Sequence, residues 1–175
     1  MTVRVGDRSA ILLGRDSEYP APVAFYLAHE MGHIGLDHLS PGEAIVNIDP
    51  PEGALEPADE EEDAADRFAL ELLTGRPGLE VSEAENSAAA SPGGLANVVR
   101  QEGPRLHIEP GTLALCFGYS TQNWEAAFGA LKAIYTTPAP AWEAVNRLAV
   151  SQLQLDSIPQ DASRFLAAVL GAPVD

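Results

Sequence analysis

The sequence has little cysteine and few basic residues. Its single cysteine, Cys116, excludes an internal disulfide bond and is typical of a protein from a reducing compartment. There are 10 Lys and Arg residues against 26 Asp and Glu, and the formal net charge is -16. Because gripping nucleic acid through its phosphates requires a basic face, we expect no direct nucleic-acid binding.

Long apolar runs are also missing. No stretch approaches the roughly 20 apolar residues of a membrane span. The segment from Met1 to Arg8 lacks the apolar region of a secretory signal. With 46% hydrophobic residues in a chain of 175, the protein can nevertheless bury a core. We therefore expect a folded cytoplasmic protein that does not associate with membranes.

Residues His29 to His33 form an H-E-x-x-H motif. Four residues of an α-helix advance about 400°, so His29 and His33 project from nearly the same face, one turn apart. Two imidazoles placed in this way can both reach one Zn²⁺ at roughly 2.0–2.1 Å. Glu30 can then face a water at the open position of the metal and act as a general base. The alternative is an amphipathic helix with two incidental histidines.

A second helix is predicted after Asp59, in an acidic stretch. Asp59 can cap the first turn, and the acidic residues that follow suit the positive end of the helix dipole. Gly75 and Pro77 mark the end of the helix. One stripe of this helix is mostly apolar, and its members are Glu62, Ala65, Asp66, Ala69, Leu72 and Leu73.

Glu62 is the predicted third ligand of the metal. A carboxylate that points toward the core needs a partner, and zinc is such a partner. With His29 and His33, Glu62 would complete the His₂Glu set of a catalytic site that keeps water as the fourth ligand. Asp66, one turn on, can accept an N–H bond from a ligating histidine. Glu61 remains an alternative ligand because it shares another stripe with apolar residues. A further alternative is that the acidic residues merely decorate the start of a helix.

Two further histidines are not predicted as ligands. His38 follows His33 by five residues, or about 500° of helix, so it would point away from the His29–His33 face. We therefore expect His38 at the helix end or on the surface. The third histidine of the metzincin pattern would fall at position 39, which is Leu39, and His107 is isolated in the sequence.

The paired motifs resemble the ImmA/IrrE family of zinc metallopeptidases. The resemblance is carried by H-E-M-G-H from His29, by the approach from Val23 to Ala28, and by E-D-A-A-D-R-F-A from Glu62. In such gluzincin-type peptidases the first acid of the E-x-x-A-D element ligates zinc and the aspartate supports a histidine. The resemblance implies these roles for Glu62 and Asp66. Family members act in bacteria, plasmids and phages, where they commonly cleave a helix-turn-helix repressor.

The resemblance implies a zinc-dependent endopeptidase whose substrate is a protein such as a DNA-binding repressor. An alternative keeps the zinc without catalysis, as a regulatory or toxin–antitoxin partner that binds a transcription factor. A third interpretation is a structural zinc domain, in which four protein ligands would leave no place for water. Tyr26, Tyr119 or His107 could stabilise the oxyanion, and the sequence does not choose among them.

The predicted fold is α+β, with a small β-sheet packed on the H-E-x-x-H helix and a mainly helical C-terminal part. Strands are expected in residues 2–5 and 9–13, with a further short one in 43–48. The expected organisation is a zincin-like metallopeptidase core in 1–78, a Ser-, Ala- and Gly-rich linker in 79–94 and a helical region in 95–175. This helical region could pack on the core as one domain.

The helices are predicted from the spacing of apolar residues. Their ranges are 22–34, 58–73, 95–101, 110–117, 121–135, 139–153 and 162–170. Apolar residues follow 3–4 spacing, which is typical of core positions, in two of these helices: Trp124, Phe128, Leu131 and Tyr135 in 121–135, and Trp142, Val145, Leu148 and Ala149 in 139–153. Gly32 lies inside the first helix, where glycine is less favourable than alanine by about 1 kcal/mol, and this indicates close packing against another element.

Overall fold

The fold is α+β, as predicted, in a computed structural model that describes residues 1–14, 17–45, 59–76, 91–137 and 140–171. Within these ranges it contains a three-stranded antiparallel sheet and seven α-helices. The strands are β1 (Thr2–Val5), β2 (Arg8–Ile11) and β3 (Ala44–Ile45). The helices are α1 (Pro20–Gly35), α2 (Glu60–Thr74), α3 (Pro92–Leu106), α4 (Pro110–Thr121), α5 (Trp124–Ile134), α6 (Ala141–Gln152) and α7 (Gln160–Val169).

β1 is the middle strand of the sheet, which has the order β2-β1-β3. β1 and β2 form a hairpin in which Val5 pairs with Arg8. The tight turn between them uses Gly6, whose φ of +63° suits a residue without a Cβ. β3 pairs with the first half of β1, and residues 46–48 of the predicted third strand lie outside the described residues.

One face of β1 attaches the sheet to α1. Thr2 and Arg4 project from this face because side chains alternate along a strand. Thr2 is fully buried, and its hydroxyl donates to Glu30 within α1. Arg4 donates to the carboxylate of Asp37 and to the carbonyl oxygen of Leu39, just beyond the end of α1. The strand is therefore held at two places along the helix that carries the H-E-x-x-H motif.

The ends of α1 and α2 follow local sequence signals. α1 begins two residues earlier than predicted because Pro20 occupies its first turn, where the missing N–H breaks no helical hydrogen bond. The side chain of Asp59 accepts hydrogen bonds from the backbone N–H groups of Glu61 and Glu62, as a helix cap. Gly75 ends α2 with a φ of +70°. The cap sets which α2 side chains face α1.

The two helices approach each other most closely at Gly32. A Cβ at this position would lie 3.0 Å from the Cα and 3.2 Å from the carbonyl oxygen of Ala65. Ala65 and Ala69 are fully buried in this contact region. Small residues on both helices thus permit the close approach, which confirms the packing predicted for Gly32.

One continuous core joins α1 and α2 to the C-terminal helices. Its buried members are Ala21, Phe25, Ala28, Ala69, Leu95, Ala96, Val99, Ile108, Leu113, Ala114, Leu115, Phe117, Ala126, Ala127, Ala130 and Leu131. The described C-terminal helices therefore pack on the core. α3 begins at Pro92 with Ser91 as its cap, so residues 92–94, at the end of the predicted linker, are helical. Residues 79–90 of that linker lie outside the described residues.

Several predicted core positions are instead at the surface. Leu72, Phe128, Trp142 and Leu148 are exposed, so the prediction of burial from their spacing was wrong. None of the residues of α6 is buried, including those of the apolar 3–4 pattern. Trp124, in contrast, packs against the core. Among the described helices, none combines the length and the apolar character that crossing a membrane requires.

We predict that Gly32→Ala lowers the free energy of unfolding, although alanine favours a helix by about 1 kcal/mol. The added Cβ meets backbone atoms of Ala65, and overpacking of this kind typically costs about 1–3 kcal/mol. Gly35→Ala is the matched control, since its Cβ would meet only ring atoms of Phe68 at 3.5 Å or more. Urea denaturation of both variants measures the difference. A Gly32→Ala protein as stable as Gly35→Ala would contradict the prediction.

Candidate metal centre

Three potential ligands converge where α1 packs against α2. His29 and His33 of α1 are buried, and Glu62 of α2 is half-buried. Each residue offers one ligand atom, and these three atoms lie within 4.8 Å of one another. The group could therefore hold a metal ion.

The distances between the ligand atoms are close to those around a small tetrahedral cation. The Nε2 atoms of His29 and His33 are 3.1 Å apart. The carboxylate of Glu62 lies 3.2 Å from Nε2 of His29 and 3.4 Å from Nε2 of His33. Ligands about 2.0–2.2 Å from a tetrahedral ion stand roughly 3.3–3.6 Å apart. The donor atoms thus fit a metal ion without a large movement of either helix.

Glu62, rather than Glu61, faces the two imidazoles. Asp59 caps the first turn of α2 through the N–H groups of both glutamates. This turn leaves Glu61 exposed and directs the Glu62 side chain toward α1. The sequence left both residues open as ligands, because helical phase could not be assigned without the contact to α1.

Asp66 contacts the imidazole of His29 at the Nδ1 atom. Its Oδ1 is 2.8 Å from Nδ1 of His29, which donates the hydrogen bond. A proton held on Nδ1 leaves Nε2 as the nitrogen available to a metal. Asp66 is one helical turn after Glu62, so α2 supplies both a potential ligand and the residue that orients another. The contact is the one expected for Asp66 from the sequence.

Glu30 is buried beside the imidazoles, and its carboxylate is bound by Met1 and Thr2 at the start of the chain. The Thr2 hydroxyl donates to its Oε2, and the ammonium group of Met1 lies 2.6 Å from its Oε1. The Glu30 side chain is only 7% exposed, and a buried carboxyl requires such donors. Sequence reasoning missed Thr2 because nothing in a four-residue strand marks a contact to a residue 28 positions away.

His38 lies just beyond the end of α1, as predicted, but its ring contacts His33 instead of pointing away from it. Its Nδ1 lies 3.1 Å from Nδ1 of His33. The angle predicted for His38 assumed helical geometry up to position 38, whereas α1 ends at Gly35. Asp37 then adopts a φ of +59°, which turns the chain and brings His38 back to the helix. The sequence offered one signal for this turn, namely Asp37, because aspartate tolerates the left-handed conformation.

Aromatic rings cover one side of His29. The ring centroid of Phe25 is 6.4 Å from that of His29, and Phe25 also packs against Tyr119 of α4 at 4.8 Å. Tyr26 makes an edge contact with Phe25. His107, the third candidate for stabilising an oxyanion, is the exposed residue that ends α3. The C-terminal helices thus contribute to the surroundings of the candidate metal ligands through Tyr119.

Burial and neighbouring charges shift the pKa values of the three candidate ligands in different directions. Burial lowers the pKa of His29, but the hydrogen bond and the charge of Asp66 outweigh this and raise that pKa above 6.5. Burial, together with repulsion from His29 and His38, lowers the pKa of His33. Burial raises the pKa of Glu62 against the opposing attraction of His29. The raised pKa of His29 means that protonation of this imidazole competes with metal binding over a wider pH range than for an ordinary histidine.

We predict that metal affinity decreases as the pH falls through the raised pKa of His29. Proton and metal compete for the same imidazole, so affinity drops roughly tenfold for each pH unit below that pKa and changes little above it. Calorimetric titration of the metal-free protein with Co²⁺ near pH 6, 7 and 8 measures this dependence. Asp66→Asn removes the carboxylate that raises the pKa and is expected to move the decrease to lower pH. Equal affinity at all three pH values would contradict the prediction.

We also predict that Thr2→Val lowers the free energy of unfolding by about 1–3 kcal/mol. The variant keeps the side-chain volume but leaves a buried oxygen of Glu30 without its donor. Thr2→Ser retains the hydroxyl and should retain most of the stability. Urea denaturation near pH 7 compares the two variants. If the serine variant is no more stable than the valine variant, the hydrogen bond to Glu30 does not stabilise the fold.

Comparison with known proteins identified no relative of this chain. No protein-family model, curated protein or solved structure matches the chain. The candidate metal centre therefore depends on the residues of this chain and on their geometry.

Proposed function

We propose that the protein is a zinc-dependent endopeptidase. The observation that carries this proposal is the convergence of His29, His33 and Glu62, with Glu30 buried beside them. Two imidazoles and one carboxylate form the His₂Glu donor set of catalytic zinc sites, which keep a fourth position for water. The resemblance of the H-E-x-x-H and E-x-x-A-D sequences to the ImmA/IrrE family supports the same function.

The chemistry of the donors favours zinc over other common cations. Mg²⁺ and Ca²⁺ prefer six or more oxygen ligands, whereas this group offers two nitrogens and a carboxylate. Imidazole suits zinc, and the separations of 3.1–3.4 Å between donor atoms are close to those of a tetrahedral site. His29, His33 and Glu62 would hold the ion.

The reaction that we propose is hydrolysis of a peptide bond. Bound zinc would supply a Lewis acid for the scissile carbonyl and would lower the pKa of a water molecule. Glu30 takes a proton from the attacking water as the new C–O bond forms, and it returns this proton to the leaving amine as the C–N bond breaks. Thr2 holds one oxygen of Glu30 in place during these transfers. Asp66 keeps Nε2 of His29 directed toward Glu62.

We propose a protein substrate with a basic surface, such as a DNA-binding repressor. The net charge of -16 favours association with a basic protein over an acidic one. A repressor is also the kind of protein that the resembled family commonly cleaves. The non-catalytic alternative, a regulatory or toxin–antitoxin partner, would bind the same kind of protein and leave it intact.

We predict that the purified protein binds about one zinc per chain and that this binding requires the three converging residues. Metal analysis after dialysis measures the zinc content. His29→Ala and Glu62→Gln are expected to lose the ion, because each removes one of three protein ligands. Glu61→Gln is the matched control, since Glu61 is the adjacent exposed glutamate of the same helix turn. Zinc retained by Glu62→Gln and lost by Glu61→Gln would overturn the ligand assignment.

Catalysis is tested with Glu30→Gln, which keeps the three ligands and removes the proposed base. We expect this variant to bind zinc and to co-purify with an uncut partner protein. Adding the zinc-loaded wild-type protein should then cut the partner at one place, and adding more of the variant should not. A partner that stays intact with the wild-type protein would contradict the peptidase and would favour the binding protein.

A further inference from the structure

We propose that His38 is a positioning residue for the metal ligand His33. This inference rests on the proposed zinc site. The Nδ1 atoms of the two rings are 3.1 Å apart, and the rings meet edge to face, with their centroids 5.2 Å apart. The contact is on the side of His33 away from the Nε2 atom that faces His29 and Glu62. His38 thus contacts His33 on the side opposite the candidate ligand atom Nε2.

A hydrogen bond between two Nδ1 atoms requires one donor and one acceptor. When His33 binds a metal through Nε2, its proton is on Nδ1, and this N–H donates to Nδ1 of His38. The proton of neutral His38 is then on Nε2. Metal binding through Nε2 therefore selects one tautomer of both rings. His29 obtains the same support from the carboxylate of Asp66, so each ligating imidazole has its own partner.

The residues before and after His38 in the sequence, Asp37 and Leu39, are both held by contacts to Arg4. Asp37 has a φ of +59°, a conformation that is uncommon for residues other than glycine. The Arg4 side chain donates both to the carboxylate of Asp37 and to the carbonyl oxygen of Leu39. The backbone N–H of His38 donates to the carbonyl oxygen of His33 at 3.0 Å, and Leu39 is 3% exposed. The imidazole is therefore held by its neighbours rather than placed by a freely moving surface loop.

We expect His38→Leu to bind zinc roughly 10–100 times more weakly than the wild-type protein, because partners of ligating histidines have effects of this size. His38→Asn places an amide oxygen near the position of Nδ1 and can accept the same hydrogen bond. This variant should recover most of the affinity. Competition with a zinc chelator near pH 7.5 measures the affinities. His107→Asn is the matched control at a histidine outside the site and should leave the affinity unchanged.

The tautomers of the wild-type protein provide a second measurement that needs no variant. In the zinc-loaded protein, ¹H–¹⁵N NMR of the imidazoles should show His33 protonated at Nδ1 and His38 protonated at Nε2. A general effect of His38 on packing would not produce this pair of tautomers.

The outcomes separate this inference from the proposed function. A wild-type protein that binds no zinc would overturn both. A wild-type protein that binds zinc as tightly as its His38→Leu variant would overturn only the role of His38. The same conclusion would follow if His38→Asn bound zinc as weakly as His38→Leu, or if His38 in the zinc-loaded protein carried its proton on Nδ1.

Discussion

The close approach of α1 and α2 is the constraint on which the candidate site depends. Gly32 provides the space for it, since a side chain there would meet the backbone of Ala65. At this separation a carboxylate on one helix reaches imidazoles on the other, as Glu62 does at 3.2 and 3.4 Å. The packing of small residues therefore decides whether donors that are 29 or more positions apart in sequence can share one ion.

Burial of polar groups is made possible by specific partners from other elements. Asp66 accepts from His29, His38 lies against His33, and Thr2 donates to Glu30. Each contact reduces the desolvation penalty of its buried partner and also restricts its orientation. The partners come from α2, from the turn after α1 and from β1, so the site draws together three parts of the fold. The contacts that orient the side chains of the candidate site therefore also reduce the free-energy cost of burying them.

The C-terminal helices complete the surroundings of α1. Phe25, one turn before His29, belongs to the core that continues through α3 to α5, and Tyr119 of α4 packs against Phe25 and this core. The helix that carries two potential ligands is consequently fixed on one side by α2 and on another by α4. α6 and α7 lie farther out, with exposed apolar side chains such as Trp142 and Phe165.

The sequence alone determined the features that depend on neighbours along the chain. The H-E-x-x-H spacing places His29 and His33 on one helical face, and Asp59 and Gly75 mark the ends of α2, because helix geometry and capping act over a few residues. Only the tertiary structure placed Glu62 rather than Glu61 beside the two imidazoles, brought Thr2 to Glu30 and turned His38 back to His33. The α+β class and the close packing at Gly32 were predicted, whereas the burial of Phe128 was predicted wrongly. These outcomes depend on which helix faces pack together and on where the chain turns, and periodicity within one element does not encode the position of its neighbours.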